Sequence, residues 1–221
     1  MIKSFDKTQG LRAVIFDMDG LLIDSEPAWY EALSEFLRSK GFEYTVDLSN
    51  KIMGGGHRET IKIFKEEFGL EGNTDDLIAE MRSYFFKTFS RDIKLTKGAK
   101  DFLEKLRKKN HILAIATGLG PESEVINLLL KLDLRKYFKE VVTGDEVTRG
   151  KPDPQIYLIT AQKLKVKPQD CLALEDAVNG VLAGKAAEMK VFGVNKDEKI
   201  RESLINAGAD KVFSSLLEVE I

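Results

Sequence analysis

Between residues 99 and 194 helix-like and strand-like segments take strict turns, and that order leaves few folds open. Helical spacing over about 99–109, 122–132, 155–165 and 177–187 alternates with short apolar runs over about 111–116, 140–143, 171–174 and 190–194. Strands separated each time by a helix join in parallel, with helices covering both faces of the sheet. An earlier run, Ala13-Val14-Ile15-Phe16, supplies one more buried strand. Beyond that strand the rhythm breaks. Amphipathic spacing over about 26–40, with Trp29, Leu33, Phe36 and Leu37 on one face, is succeeded by helical stretches over about 58–68 and 74–88 with no strand between them. The expected fold is therefore α/β: a doubly wound, Rossmann-like parallel sheet core from residues 1–23 and 95–221, with a small all-helical domain, residues 24–94, inserted after the first strand. Residues 1–10 are polar and read as a loosely held tail.

A chain of 221 residues is long enough to bury a substantial core. Its 34 basic and 36 acidic residues leave a formal charge of −2, which provides no electropositive field for nucleic acid. The basic run Lys105-Leu106-Arg107-Lys108-Lys109 falls on an expected helix and reads as its solvated face. Cys171 is the only cysteine, which rules out an intramolecular disulfide, and its place at the start of an apolar run suits core packing. No stretch is long and apolar enough to span a membrane, and the N-terminus lacks the apolar segment of a secretory signal. A cytoplasmic monomer with neither nucleic-acid nor membrane partners is expected.

Chemistry concentrates where the apolar runs end. Ala13-Val14-Ile15-Phe16 closes on Asp17-Met18-Asp19-Gly20, two acids one residue apart at the strand edge where open α/β sheets bind ligands. Gly20 permits an immediate turn. Adjacent carboxylates do not both ionise cheaply without a cation, so the pair suggests a divalent metal on oxygen ligands, with Mg²⁺ the leading candidate. An aspartate in that field can also act as a nucleophile. A calcium loop of the EF-hand type is excluded because Leu21-Leu22-Ile23 stand where further oxygen ligands belong.

Three more blocks repeat the arrangement. Ile112 to Ala116 runs into Thr117-Gly118, a hydroxyl beside a backbone N–H able to hold a phosphate oxygen. Gly150-Lys151-Pro152-Asp153-Pro154 fixes an ammonium beside a rigid turn. Cys171 to Leu174 closes on Glu175-Asp176, two acids able to complete a metal site. Taken singly, Thr117 reads equally as a helix cap, Lys151 as a solvated charge, and Glu175-Asp176 as helix N-terminal acids.

Together, the order and spacing of these blocks resemble the haloacid dehalogenase superfamily of aspartate-dependent phosphotransferases, in the branch that holds β-phosphoglucomutase and the small sugar-phosphate phosphatases. The most specific segments are Phe16-Asp17-Met18-Asp19-Gly20, Asp24-Ser25-Glu26-Pro27, Gly150 to Pro154 and Leu174 to Gly180. The resemblance implies Asp17 as the nucleophile that forms an aspartyl-phosphate and Asp19 as the acid and base. It implies that Thr117 and Lys151 hold the transferring phosphoryl group. Mg²⁺ would be bound by Asp17, the Asp19 backbone carbonyl and Asp176, with Glu175 a ligand directly or through water. An acid in the role of Asp19 needs a raised pKa.

In this branch the helical insert covers the site and sets specificity. Met53-Gly54-Gly55-Gly56-His57-Arg58 lies between the first two helices expected in it, where Arg58 could grip a distal oxygen bidentately and His57 could bond a hydroxyl; a plain interhelical loop is an equal reading. The mutases place a histidine and a lysine where this chain has Trp29 and Met53, so two cations are missing and Trp29 becomes an apolar wall for a sugar face. Gly118-Leu119-Gly120 leaves only backbone N–H groups to bind phosphate there. The expected activity is Mg²⁺-dependent hydrolysis of a small phosphorylated metabolite, a sugar phosphate, with a β-phosphoglucomutase-type transfer as the alternative. Dehalogenation does not need Lys151 with Glu175 and Asp176, no motif singles out Lys51 or Lys62 as the Schiff-base lysine of a phosphonatase, and a non-catalytic binding module would be expected to lose one of Asp17 and Asp19.

Overall fold

The computed structural model describes residues 10–52 and 57–221, so the Met53 to Gly56 part of the glycine loop and most of the N-terminal tail lie outside the described residues. Strand β1 (Ala13–Phe16) enters the core and is followed by the short β2 (Ile23–Asp24). Four helices come next: α1 (Glu26–Ser39), α2 (Val46–Ile52), α3 (His57–Phe68) and α4 (Thr74–Asp92). A second short strand, β3 (Lys94–Leu95), pairs antiparallel with β2 through Ile23 opposite Leu95 and Asp24 opposite Lys94. The alternating part then runs α5 (Ala99–Lys108), β4 (Ile112–Ala116), α6 (Glu122–Lys131), β5 (Glu140–Val142), α7 (Gln155–Leu164), β6 (Cys171–Glu175), α8 (Val178–Ala186), β7 (Lys190–Val194), α9 (Glu198–Asn206) and β8 (Lys211–Phe213).

Six strands form one parallel sheet in the order β5-β4-β1-β6-β7-β8. β1 therefore lies between β4 and β6, with Phe16 opposite Ile115 on one side and Leu174 on the other. Its four residues are fully buried, as an unbroken apolar run in a doubly covered strand requires. Alternation divides them between two cores. Val14 and Phe16 pack with Phe102 and Leu106 of α5 and Leu129 of α6, while Ala13 and Ile15 pack with Tyr157 of α7, Val181 of α8 and Leu204 of α9. The doubly wound sheet expected from alternation is thus present.

Helices α1 to α4 build a hydrophobic cluster of their own around Phe36, Phe64, Leu77 and Met81. Helix α1 ends where Gly41 takes a φ of +85°, and Asn73 caps α4 by accepting from the N–H groups of Asp75 and Asp76. The short α2 departs from expectation; its Ser49-Asn50 centre and few apolar residues look like loop. Helix α9 and the edge strand β8 extend the alternation past Val194, where the sequence patterning stops. Lys105, Arg107 and Lys108 are exposed on α5, and Cys171 is buried in β6. Among the described residues no helix is long and apolar enough to cross a membrane.

Candidate active site

The register of the sheet brings the candidate residues to one edge. Asp17 leaves β1 still paired, its N–H donating to the Leu174 carbonyl at 3.0 Å, while Thr117 succeeds β4 and Glu175 closes β6. This is the switch point between the neighbours β1, whose chain continues to β4 on one side, and β6, whose chain continues to β7 on the other, the place where such folds bind ligands. The chain turns back at once: the Met18 carbonyl accepts from the N–H groups of Leu22 and Ile23, and the Gly20 N–H donates to the Ile23 carbonyl. Gly20 has a φ of +82°, and a Cβ there would fall 2.1 Å from Asp176 Oδ2. The turn and the acid on the neighbouring loop therefore require glycine on two counts.

Lys151 ties the carboxylates together. Its Nζ lies 2.5 Å from Asp17 Oδ1, 2.6 Å from Glu175 Oε1 and 3.1 Å from the Ala116 carbonyl oxygen. Gln155 holds the loop that presents it, since its Oε1 accepts from the N–H groups of Thr148 and Arg149, each at 3.0 Å. Burial alone would lower the Lys151 pKa, but Asp17 and Glu175 overcome it and hold the ammonium above the ordinary lysine value. The buried Tyr157 hydroxyl donates to the same Glu175 oxygen, and the Lys151 ammonium sits 5.3 Å from the Tyr157 ring centroid. At Gly180 a Cβ would come within 2.0 Å of the Glu175 carboxylate, so α8 can approach only as glycine.

Oxygens of Asp17, Glu175 and Asp176 lie within 4.8 Å of one another. Burial lifts the Asp176 pKa well above the usual carboxylate range, and Asp17, Glu175 and Asp19 push it further, against Lys151. Burial likewise raises Glu175, with Lys151 opposing and Asp17 adding to the rise. Three acids facing one ammonium would carry surplus negative charge once ionised, and their all-oxygen donor set fits a hard divalent cation. Asn195, just past β7, fixes the acidic loop by donating from Nδ2 to the Asp176 carbonyl at 3.1 Å.

Asp19 points its carboxyl elsewhere. Oδ2 accepts a 2.7 Å hydrogen bond from Trp29 Nε1 of α1, and among the described residues the buried Oδ1 has no hydrogen-bond partner. Burial raises its pKa to about 6, opposed by the nearby Ser25 hydroxyl and the Trp29 N–H and assisted by Asp17. Any part for Asp19 in holding a metal therefore falls to its backbone. Thr117 is fully buried; its Oγ1 accepts from the Leu119 N–H at 3.2 Å, which leaves the hydroxyl proton free to donate. Gly118 is exposed, and a Cβ there would meet nothing within 4 Å, so the loop offers open backbone.

The helical insert contributes a second group. Trp29 stacks on Phe85 of α4 at 4.0 Å between centroids and lies 5.1 Å from the His57 ring. His57 Nδ1 accepts from Arg82 of α4, and Arg82 Nη2 also donates to the Gly118 carbonyl at 2.8 Å. The structure does not bring Arg58 to this group: it is exposed and paired with Asp75 at 2.5 Å. Arg82, Tyr157 and Asn195 are the site residues that sequence reasoning missed.

Residues 14–194 match the family model of the haloacid dehalogenase-like hydrolases. The chain is 38% identical over 200 residues to the phosphorylated carbohydrates phosphatase of Thermotoga maritima, covering 90% of this chain and 92% of that one. Hexitol phosphatase B of Escherichia coli K12 is 32% identical over 218 residues, covering 94% and 93%. A solved Thermotoga maritima structure, provisionally called a beta-phosphoglucomutase, superposes with a TM-score of 0.72 at 37% identity and covers 91% of this chain and 94% of that one. The family match runs from the second residue of β1 to the last of β7 and so takes in every strand end at the site: the chain belongs to the haloacid dehalogenase-like hydrolases.

Proposed function

We propose that this phosphoric monoester hydrolase releases phosphate from small phosphorylated carbohydrates and polyols, using Mg²⁺ and an aspartyl-phosphate on Asp17. The observation that carries the reading is Lys151 set between Asp17 and Glu175 at 2.5 and 2.6 Å, which puts a nucleophilic carboxylate, a phosphate-neutralising cation and the acidic cluster at one strand edge. The named substrates of the two phosphatase relatives, phosphorylated carbohydrates and hexitols, support the substrate class.

In the first step an Asp17 oxygen attacks phosphorus as the ester P–O bond breaks, and the leaving oxygen takes the proton of Asp19. In the second, Asp19 removes a proton from water, whose oxygen attacks the phosphoryl group, breaks the Asp17–phosphorus bond and releases phosphate. Thr117, the open backbone at Gly118 and Lys151 hold the phosphoryl oxygens in both steps. Asp19 suits this part because its pKa, raised to about 6, leaves a fraction of it protonated near neutrality and because among the described residues its Oδ1 has no competing partner. Mg²⁺ held by Asp17, Asp176, the Asp19 backbone and Glu175 would neutralise charge on the phosphoryl group. The insert, residues 24–94, acts as the cap on a core of residues 1–23 and 95–221, excluding bulk water. In this reading the enzyme works as a cytoplasmic monomer.

A mutase is the second reading, favoured by the name of the solved neighbour. Trp29 beside Asp19 weighs against it, because an indole offers no cation to hold a second phosphate. Phosphorus NMR of the protein with β-glucose 1-phosphate, Mg²⁺ and a trace of glucose 1,6-bisphosphate decides. Accumulating inorganic phosphate supports the hydrolase; rapid conversion to glucose 6-phosphate with little free phosphate overturns it.

A further inference from the structure

Arg82 links the insert to the core. It sits on α4 among the buried residues Ile78, Met81 and Phe85, yet it reaches out of the helical cluster to the loop after β4, where Nη2 meets the Gly118 carbonyl at 2.8 Å. Its Nε and Nη2 approach His57 Nδ1 at 3.3 and 3.1 Å. A guanidinium only donates, so Nδ1 must accept, and the imidazole is neutral with its proton on Nε2. Burial, reinforced by Arg82, lowers the His57 pKa to about 3, in keeping with that tautomer. Two kinds of donor are left over. Among the described residues Arg82 Nη1 has no hydrogen-bond partner, and neither has His57 Nε2.

The charge is also incompletely answered. No carboxylate lies within ion-pair distance of the half-buried Arg82 among the described residues; Asp145 acts on it only at longer range. A partly desolvated cation held by a neutral ring and a carbonyl is poised to take further oxygen acceptors. The neighbours fix where those acceptors must lie. Trp29 lies against His57 and donates to Asp19, while Gly118 adjoins Thr117, so the group spans from the candidate acid to the phosphate-holding loop. A leaving group whose oxygen is protonated by Asp19 must lie beneath that span.

We propose that Arg82, aligned by His57, determines specificity by donating hydrogen bonds to hydroxyl oxygens of a carbohydrate or polyol leaving group. This rests on the phosphatase reading above and names the residue that would read its substrate class. It also explains how a site without the mutase cations still distinguishes a sugar ester from an apolar one: the discrimination comes from donors left unpaired when the hydroxyls are absent.

The test compares kcat/KM for glucose 6-phosphate and for 4-nitrophenyl phosphate, whose leaving group has no sugar hydroxyls, in wild type, Arg82→Met and Arg82→Lys. Losing charged donors to the hydroxyls should lower the ratio of the two values about ten- to a hundredfold in Arg82→Met, mainly through KM for the sugar ester, with Arg82→Lys intermediate. His57→Leu keeps the cation but removes the acceptor that aligns it, and should lower the same ratio; it serves if Arg82→Met does not fold. A ratio unchanged in folded variants, with both rates falling together, would show that Arg82 merely fastens the insert to the loop and would overturn the assignment alone. Wild-type protein that releases phosphate from neither ester would instead sink the phosphatase reading, and this one with it.

Discussion

Trp29 of the insert and Asp19 of the core share a 2.7 Å hydrogen bond, Nε1 to Oδ2, so the candidate acid is held from the helical side and the candidate nucleophile, Asp17, from the sheet side by Lys151. The indole N–H favours the ionised carboxyl and so works against the burial that lifts Asp19 to about 6. Asp19 must be protonated to donate, so kcat/KM should fall as pH rises through its pKa. Trp29→Phe keeps the ring on Phe85 but removes the donor, which raises that pKa. Its alkaline limb should therefore lie at higher pH than that of wild type for an ester with a poor leaving group. A limb that stays put or moves down would show that the hydrogen bond does not set the acid.

Asp17→Asn should lower turnover by several orders of magnitude, because an amide cannot attack phosphorus. Lys151 keeps its bonds to Glu175 and Ala116 in the variant, so the fold should survive, as circular dichroism and a thermal melt would show. Substantial phosphate release by folded Asp17→Asn protein would eliminate the covalent route.

Mg²⁺ binding should release protons, since Asp176 is held well above its ordinary pKa without a metal and a ligating carboxylate is ionised. Affinity should rise with pH until Asp176 is ionised in the free protein. Calorimetric titrations in two buffers of different ionisation enthalpy read the proton release directly. Asp176→Asn should bind Mg²⁺ more weakly and release fewer protons, keeping only the pH dependence that Glu175 contributes, and chelated wild type should stay folded but inactive. Binding that is independent of pH in wild type would contradict the assignment.

Gly180→Ala places a methyl within 2.0 Å of the Glu175 carboxylate, which is fully buried and cannot swing into solvent. Overpacking of this kind costs about 1–3 kcal/mol, so the melting temperature should drop by several degrees. Activity should fall by about tenfold or more, because Glu175 helps hold Lys151 and a small misplacement there is costly. A variant as stable and active as wild type would mean that the β6–α8 turn relaxes freely.

The strand ends were legible because each carries a polar residue at the close of an apolar run, and parallel register then brings Asp17, Thr117 and Glu175 together whatever the loops do. Lys151 was legible from its rigid Pro-flanked loop. Arg82 was not, although a signal was present: it stands four residues after Ile78 and three before Phe85, on the buried stripe of α4, where a guanidinium needs a reason. Tyr157 hides the same way, as a phenol on the stripe that Ala161 and Leu164 continue. Arg58 misled for the opposite reason, since its place next to the glycine loop suggested a ligand while the fold offered it Asp75 on the next helix.

Strands β2 and β3 bring Asp24 opposite Lys94, so the peptide that departs for the four helices and the peptide that returns are neighbours, roughly 5 Å apart. To the sheet, everything from Ser25 to Ile93 is a bulge on a hairpin. Such an excursion is exchangeable: helices can be lengthened, dropped or transplanted from a relative without altering the span that β1 and α5 must bridge. The carboxylates and Lys151 stay behind when that happens, whereas Trp29, His57 and Arg82 leave with the cassette. If the proposed roles hold, chemistry and selectivity would be inherited separately, and a new substrate would be acquired by replacing one contiguous segment.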